Sequence, residues 1–364
     1  MAETQPSRDS AYRGRPTVRI DEGENRKVSD LINAFRVTER EGGLSSLELR
    51  LVNFTAPDDA GSAPDLAFED ERDLKLGSKI KLYAGDEVNP REIFRGVVTG
   101  LEAEFPEAGP PEMLVLAEDA LQLARMARRT KVHADVALSE LANDVAGQLS
   151  LTPRVTGLGD SIGTQVQMNE SDMAFLRRLL ARYDADLQVV GSELHVSPRK
   201  DVQRGTVELT LHSQLRNVHF SVDLADQVTE VTTSGWDPAQ GKRVAGSSQG
   251  VNLGPGGGRS GAQLLRDALA ARSEHVNHPT VITDGEASAL ADAAFDRRAR
   301  RFVCAHGTAE GNPLVRVGST LTLGGMSQRF NNTYYVVSAC HRFDSTHGYQ
   351  TDFEAECAYL GSPA

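Results

Sequence analysis

Apolar and polar residues alternate with a period of two through most of this chain. LELRLVNF (47–54), LKLGSKIKLY (74–83), IFRGVVTGLEAEF (93–105), TVELTL (206–211) and VHFSV (218–222) all read as half-buried strands. Further strands are expected at 16–20, 228–236, 302–306, 315–323, 333–343 and 349–359. The helical period of 3.6 is concentrated in the middle of the chain and near 283–301. Within 169–196, Asn169 and Ser171 can cap a helix N-terminus. Phe175, Leu176, Leu179, Leu180 and Tyr183 recur on one side of that helix, and Arg177, Arg178 and Arg182 fall on the other. A short hairpin follows, turning at Gly191–Ser192. Helices are also expected at 117–128, 138–149 and 262–273. TDGE (283–286) reads as the capping box of a last helix reaching Arg301.

The fold class that results is mainly β with an α+β insertion. A polar arm (1–16) precedes a first β barrel (17–112), and a mixed helix and hairpin module (113–204) comes next. A second barrel (205–244 and 302–360) is interrupted by a Gly-rich linker and helices (245–301). Residues 245–261, AGSSQGVNLGPGGGRSG, read as a flexible connection because so many glycines offer little to pack.

The two β regions resemble each other. LKLGSKIKL (74–82) and VRVGSTLTL (315–323) share apolar-x-apolar-Gly-Ser-x-apolar-x-Leu, with Gly77 and Gly318 at the same place. Val97-Val98-Thr99 precedes Phe105 much as Val336-Val337-Ser338 precedes Phe343, with spacings one residue apart. Ser29-x-Leu31-x-Asn33 likewise matches Ser213-x-Leu215-x-Asn217. Three ordered matches indicate an internal duplication. Two similar barrels in one subunit suit an assembly with doubled pseudo-symmetry, in which a trimer presents six similar faces.

Composition narrows the function. The chain has 364 residues, 39 Lys and Arg against 51 Asp and Glu, and a net charge of −12, which argues against nucleic acid or an anionic membrane as the principal partner. Its first sixteen residues lack the apolar core of a signal peptide. Three widely spaced cysteines (Cys304, Cys340, Cys357) suit reduced thiols, so synthesis in a cytoplasm is expected.

Several motifs carry no chemistry in their context. Gly246-Ser247-Ser248-Gln249-Gly250 fits the hydrolase elbow but lacks the strand-to-helix turn that strains it. Gly256-x-Gly258-x-x-Gly261 lacks a βαβ unit. Cys304, His306, Cys340 and His341 could supply metal ligands, yet Cys340 and His341 would point to opposite faces of a strand. Trp236 reads as an anchor at the end of a barrel strand. No catalytic, cofactor or metal residue is assigned. The face formed by Arg177, Arg178 and Arg182 is the candidate contact surface for an assembly.

Longer stretches resemble the phage late control protein D family, the tail hubs related to the hub part of type VI secretion spike proteins of the VgrG family. NESDMAFLRRLLARYDADLQV (169–189), VTEVTTSGWDPAQGK (228–242) and the segment 311–353, with Tyr-Tyr-Val-Val, His-Arg-Phe and Gly-Tyr-x-Thr-x-Phe elements, carry the likeness, which spans about 17–358. The resemblance implies a structural baseplate hub, not an enzyme: a homotrimer joining a hexameric inner tube to a trimeric spike, with other baseplate components around it and cargo in its lumen. No nucleic-acid contact, membrane insertion or cofactor is implied. The sequence stops at Ala364 after the second barrel, so the spike is expected as a separate polypeptide. The rival expectation is a peptidoglycan-degrading tail enzyme.

Overall fold

The computed structural model describes residues 15–55, 65–85, 89–277 and 281–361; most of the expected N-terminal arm lies outside them. The first β unit comprises β1 (Thr17–Ile20), β2 (Gly23–Glu24), a short helix α1 (Arg26–Asp30), β3 (Ile32–Arg40), β4 (Ser46–Val52), β5 (Lys79–Gly85), β6 (Pro90–Glu104) and β7 (Glu112–Glu118). Alternation decides which face is buried. In β4, Leu47, Leu49 and Leu51 are sealed in the core while Glu48 and Arg50 point away. Full burial of each such leucine stabilises by about 1.5–3 kcal/mol.

The middle module contains α2 (Leu121–Met126), β8 (Arg128–His133), α3 (Leu138–Gln148), β9 (Thr152–Val155), β10 (Gln165–Ser171), α4 (Asp172–Leu180), β11 (Ala185–Val190) and β12 (Glu193–Pro198). Ser171 caps α4, its hydroxyl accepting from the Ala174 amide at 3.3 Å. Met173, Phe175, Leu176, Leu179 and Leu180 bury the apolar face of α4 in the module's own core. The α2 helix is shorter than its Ala/Leu/Arg composition suggests, because the chain switches at Arg128 into the strand that pairs with β10.

The second unit opens with β13 (Thr206–Thr210) and β14 (Leu215–Val222). An excursion follows: β15 (Glu230–Asp237), β16 (Lys242–Ser248), β17 (Arg259–Ser260), α5 (Gly261–Ala268), β18 (Ser273–Asn277) and α6 (Asp284–Arg300). The chain then returns through β19 (Val303–Glu310), β20 (Thr320–Gly324), β21 (Asn332–Asp344), β22 (Gly348–Cys357) and β23 (Tyr359–Leu360). Strands β15, β16 and β18 form a sheet of their own against α6, so Trp236 belongs to this excursion and not to the second unit. It is 57% exposed, which corrects the reading of it as an anchor.

The Gly-rich stretch is tied down, contrary to the flexible connection its composition suggests. The Asp296 carboxylate accepts the amides of Val251 (3.0 Å) and Asn252 (2.8 Å), and Asn332 accepts that of Gly257 at 3.0 Å. Gly256 lies where an added Cβ would sit 2.6 Å from the Cys357 sulfur, so the glycine permits packing that a side chain would block.

Strand order bears out the duplication. The first unit runs β1-β5-β6-β7-β4-β3 and the second β13-β20-β21-β22-β19-β14. The outermost pair differs in sense, β1 being antiparallel to β5 and β13 parallel to β20. Gly77 and Gly318, at φ +85° and +86°, donate to the carbonyls of Val98 (2.9 Å) and Val336 (3.0 Å). A bulge follows at Thr99 in β6 and at Val337 in β21.

These landmarks fix the equivalence residue by residue and move two of the three sequence matches by one position. Val98, not Val97, corresponds to Val336, which brings Phe105 and Phe343 into step. Ile32 opposes Leu51 as Leu215 opposes Ala309, each followed by a bulge, so Leu215 corresponds to Ile32 and not Leu31. A short motif in a strand can slip by one residue unnoticed; a bulge cannot.

Candidate assembly interface

The two units are joined edge to edge. Beyond Val336 the strand β21 leaves β20 and pairs instead with β3, in register from Ser338 opposite Arg40 to Asp344 opposite Ala34. Phe35 and Phe343 stack across this seam with ring centroids 5.9 Å apart. The seam makes one continuous sheet from β14 to β2.

Buried charge pins the seam. Arg316 grips the buried Glu39 carboxylate through two nitrogens. Burial pushes the Glu39 carboxyl up, but the Arg316 charge and hydrogen bonds outweigh it and hold it below its ordinary value. His341 is fully buried beside this pair, its Nδ1 2.8 Å from the Tyr349 hydroxyl, and burial followed by the Arg316 charge lowers it to about 4. It is therefore a neutral core histidine. Cys340 points the other way, as alternation requires. Among the described residues no group of three or more His, Cys, Asp or Glu is placed to hold a metal ion.

A second network docks the module onto both units. Arg199 is buried between Glu41 (2.8 Å) and Glu356 (2.6 Å), with the Tyr335 ring 4.1 Å away. Arg300 of α6 reaches Asp184 at 2.5 and 2.7 Å, and Arg204 pairs with Asp186 while donating to the Val317 carbonyl at 3.1 Å. Burial, only partly offset by Arg199, raises Glu41 to about 7. Glu41, Arg199, Glu356, Asp184 and Arg300 of this network line an open cleft of about 900 Å³. Sequence reasoning missed them because the partners are far apart in the chain.

The three arginines proposed from the sequence have separate local roles. Arg177 donates to the carbonyls of Gly42 (2.5 Å) and Gly43 (2.6 Å), bridging α4 to the β3–β4 turn. Arg178 pairs with Glu170 at 2.9 Å and donates to the Val166 carbonyl at 3.1 Å. Arg182 is half-buried, and burial followed by the Arg178 charge lowers its pKa.

Two edges that correspond to the two sides of the seam are unpaired among the described residues. Residues 100–104 of β6, on the side where β5 has ended, correspond to the part of β21 that pairs with β3. The outer side of β14, at 217–223, corresponds to the side of β3 that pairs with β21. Leu101, Phe105 (65% exposed) and Val222 stand exposed along these two edges. Carrying the internal register across sets Leu101 opposite Val222, Glu104 opposite His219 and Phe105 opposite Val218.

This architecture is that of phage tail proteins. A 43 kDa tail protein of prophage MuSo2 from Shewanella oneidensis superposes with a TM-score of 0.67 at 13% identity, over 94% of this chain and 97% of that one. A tail protein from Neisseria meningitidis MC58 gives 0.61 at 10% identity, over 94% and 95%. An E. coli component of the type VI secretion system gives 0.57 at 10% identity, over 92% and 76%. The chain belongs to the family of the Alg8 N-terminal domain, whose model matches residues 50–345. No curated protein matches the sequence.

Proposed function

We propose that this chain is the structural hub of a contractile tail or injection machine. Three copies form a ring in which six similar β units face a hexameric inner tube on one side and a trimeric spike on the other. The carrying observation is the pair of unpaired edges. One seam between the units is made inside the chain, and the edges that would make the same seam again are both left open. Because those edges are different surfaces, the contact is head-to-tail and repeats until it closes. Two units per chain and three chains give the sixfold wall that a hexameric tube needs. The role is geometric and requires no catalysis.

Imaging of the purified chain, alone and with its spike, tests the reading. Threefold rings with a near-sixfold inner wall are expected. Monomers under both conditions would overturn it.

A further inference from the structure

The cleft beside the seam gathers positive charge on a chain whose net charge is −12. Six arginines and four carboxylates line it. Arg199 and Arg300 are buried and hold three of those carboxylates, Glu41, Glu356 and Asp184. The fourth, Glu354, has His306 beside it at 4.0 Å. Arg40, Arg177, Arg297 and Arg301 are exposed, and none has a carboxylate within ion-pair distance among the described residues.

A separate contact places each of these four side chains at the cleft. Arg177 donates to the carbonyls of Gly42 and Gly43, and Arg297 to that of Ala181 at 3.2 Å, all three acceptors being in the lining. These bonds hold the two guanidinium groups without neutralising them. The buried Asp119 acts on Arg177 only from beyond ion-pair distance. Burial and the Glu356 charge raise the pKa of the Cys304 thiol while the Arg301 charge opposes them, so Arg301 lies near that lining thiol. Arg40 stands in one cross-strand row with Ser338, Glu354 and His306, on the sheet face that borders the cleft.

Charge and size together indicate the occupant. An open volume of about 900 Å³ is far more than one small anion fills. Leu44, Ala181 and Val337 share the lining, which suits aliphatic side chains and not a continuous sugar–phosphate backbone. In the proposed ring, copies meet at the open edges of β6 and β14. The cleft lies instead by the internal seam, where Arg40 of β3 opposes Ser338 of β21, so a neighbouring copy is engaged elsewhere. We propose that the cleft docks an acidic polypeptide segment of another protein of the particle. Its Asp and Glu side chains pair with Arg40, Arg177, Arg297 and Arg301, whose planar forks match a carboxylate. The proposal rests on the hub reading for the setting in which that protein is met. It places Arg177, alone among the three arginines singled out from the sequence, at an assembly contact.

The test uses the full chain in assembled particles with Ala181, an exposed lining residue, replaced by the photo-crosslinking residue benzoylphenylalanine. The expected result is a single adduct to a different particle protein, mapped to a segment rich in Asp and Glu. Arg40→Gln/Arg301→Gln should lower its yield about tenfold through the loss of two charge contacts. Arg40→Lys/Arg301→Lys should keep most of it, with the thermal midpoint of the chain alike in all variants. A yield unchanged by the Gln substitutions, an adduct within the chain or to a second copy, an adduct to nucleic acid or lipid, or no adduct in particles that contain the chain would overturn the proposal and leave the hub reading standing. Particles that form without the chain would remove both.

Discussion

Phe35 in β3 and Phe343 in β21 lie 308 positions apart in the chain yet stack at 5.9 Å, with ring planes 14° apart, where the two halves of the duplication meet. Their counterparts by strand equivalence, Val218 and Phe105, stand at the two open edges. In the proposed ring, the contact satisfied once within the molecule recurs between neighbouring copies.

Opposite charges should be exchangeable across that second contact. Leu101→Lys alone and Val222→Glu alone are each expected to disperse the ring, since each places an unpaired charge at a buried strand pairing. Combining them restores a cross-strand ion pair, and the ring with it. Both residues are exposed in the single chain, so thermal stability of the monomer should move by no more than about 0.5 kcal/mol. Analytical ultracentrifugation of the three variants reads the outcome.

His341 should give the fold an acid limb. Its pKa is depressed in the folded state to about 4 from an ordinary 6.5, so protons bind the unfolded chain more readily. The stability it contributes is complete above about pH 6.5 and is lost as pH falls towards 4, by about 3 kcal/mol at most. Denaturant titrations between pH 7 and 4 should show this loss in the native chain. A His341→Asn variant should show a shallower limb.

Glu41 should act in the opposite sense. Its carboxyl is raised to about 7 by burial, so its contribution is fully present below about pH 4.5 and fades as pH rises through 7. Glu41→Gln removes the buried charge while keeping an acceptor for Arg199. The variant should melt higher than the native chain at pH 8 and close to it at pH 5. Equal shifts at both pH values would show that the carboxyl is already ionised in the fold.

The equivalent glycines separate strain from crowding. Both have φ near +85°. An added Cβ at Gly77 meets nothing within 4 Å, whereas at Gly318 it would lie 2.3 Å from Arg204 Nη1 and 2.9 Å from Val202 Cγ1. Gly77→Ala should cost about 1 kcal/mol from the left-handed backbone alone. Gly318→Ala should cost clearly more, because Arg204 must give up its place between Asp186 and Val317. Chemical denaturation compares the two directly.

The periodicity that makes strands was plain in the sequence, and so was the duplication, because Gly77 and Gly318 need a left-handed turn that few other residues accept. The helix cap at Ser171 and the capping box at Thr283 were legible for the same reason, as local chemistry with a local geometry. The one-residue slips at Val98 and Leu215 were not, since alternation looks alike in either register until a bulge fixes it. Order in the Gly-rich stretch was hidden because its anchors, Asp296 and Asn332, are remote in sequence. The ion pairs of the seam were hidden likewise. Glu39 and Arg316 are ordinary surface types until folding brings them together across 277 positions. An exposed Met168 also gave no signal, because Val166 and Met168 alternate with Gln165 and Gln167 as in any half-buried strand and only the sense is reversed.

The central claim is that the open edges of β6 and β14 meet between copies in the register of the internal seam. Leu101→Cys/Val222→Cys, oxidised under native conditions, tests it most directly. Covalent trimers on a denaturing gel, absent from either single variant, are predicted because a closed head-to-tail ring links every copy to two others. Monomers after oxidation of an assembled ring would show that copies meet through other surfaces, and an open ladder of ever larger species would show that the contact does not close.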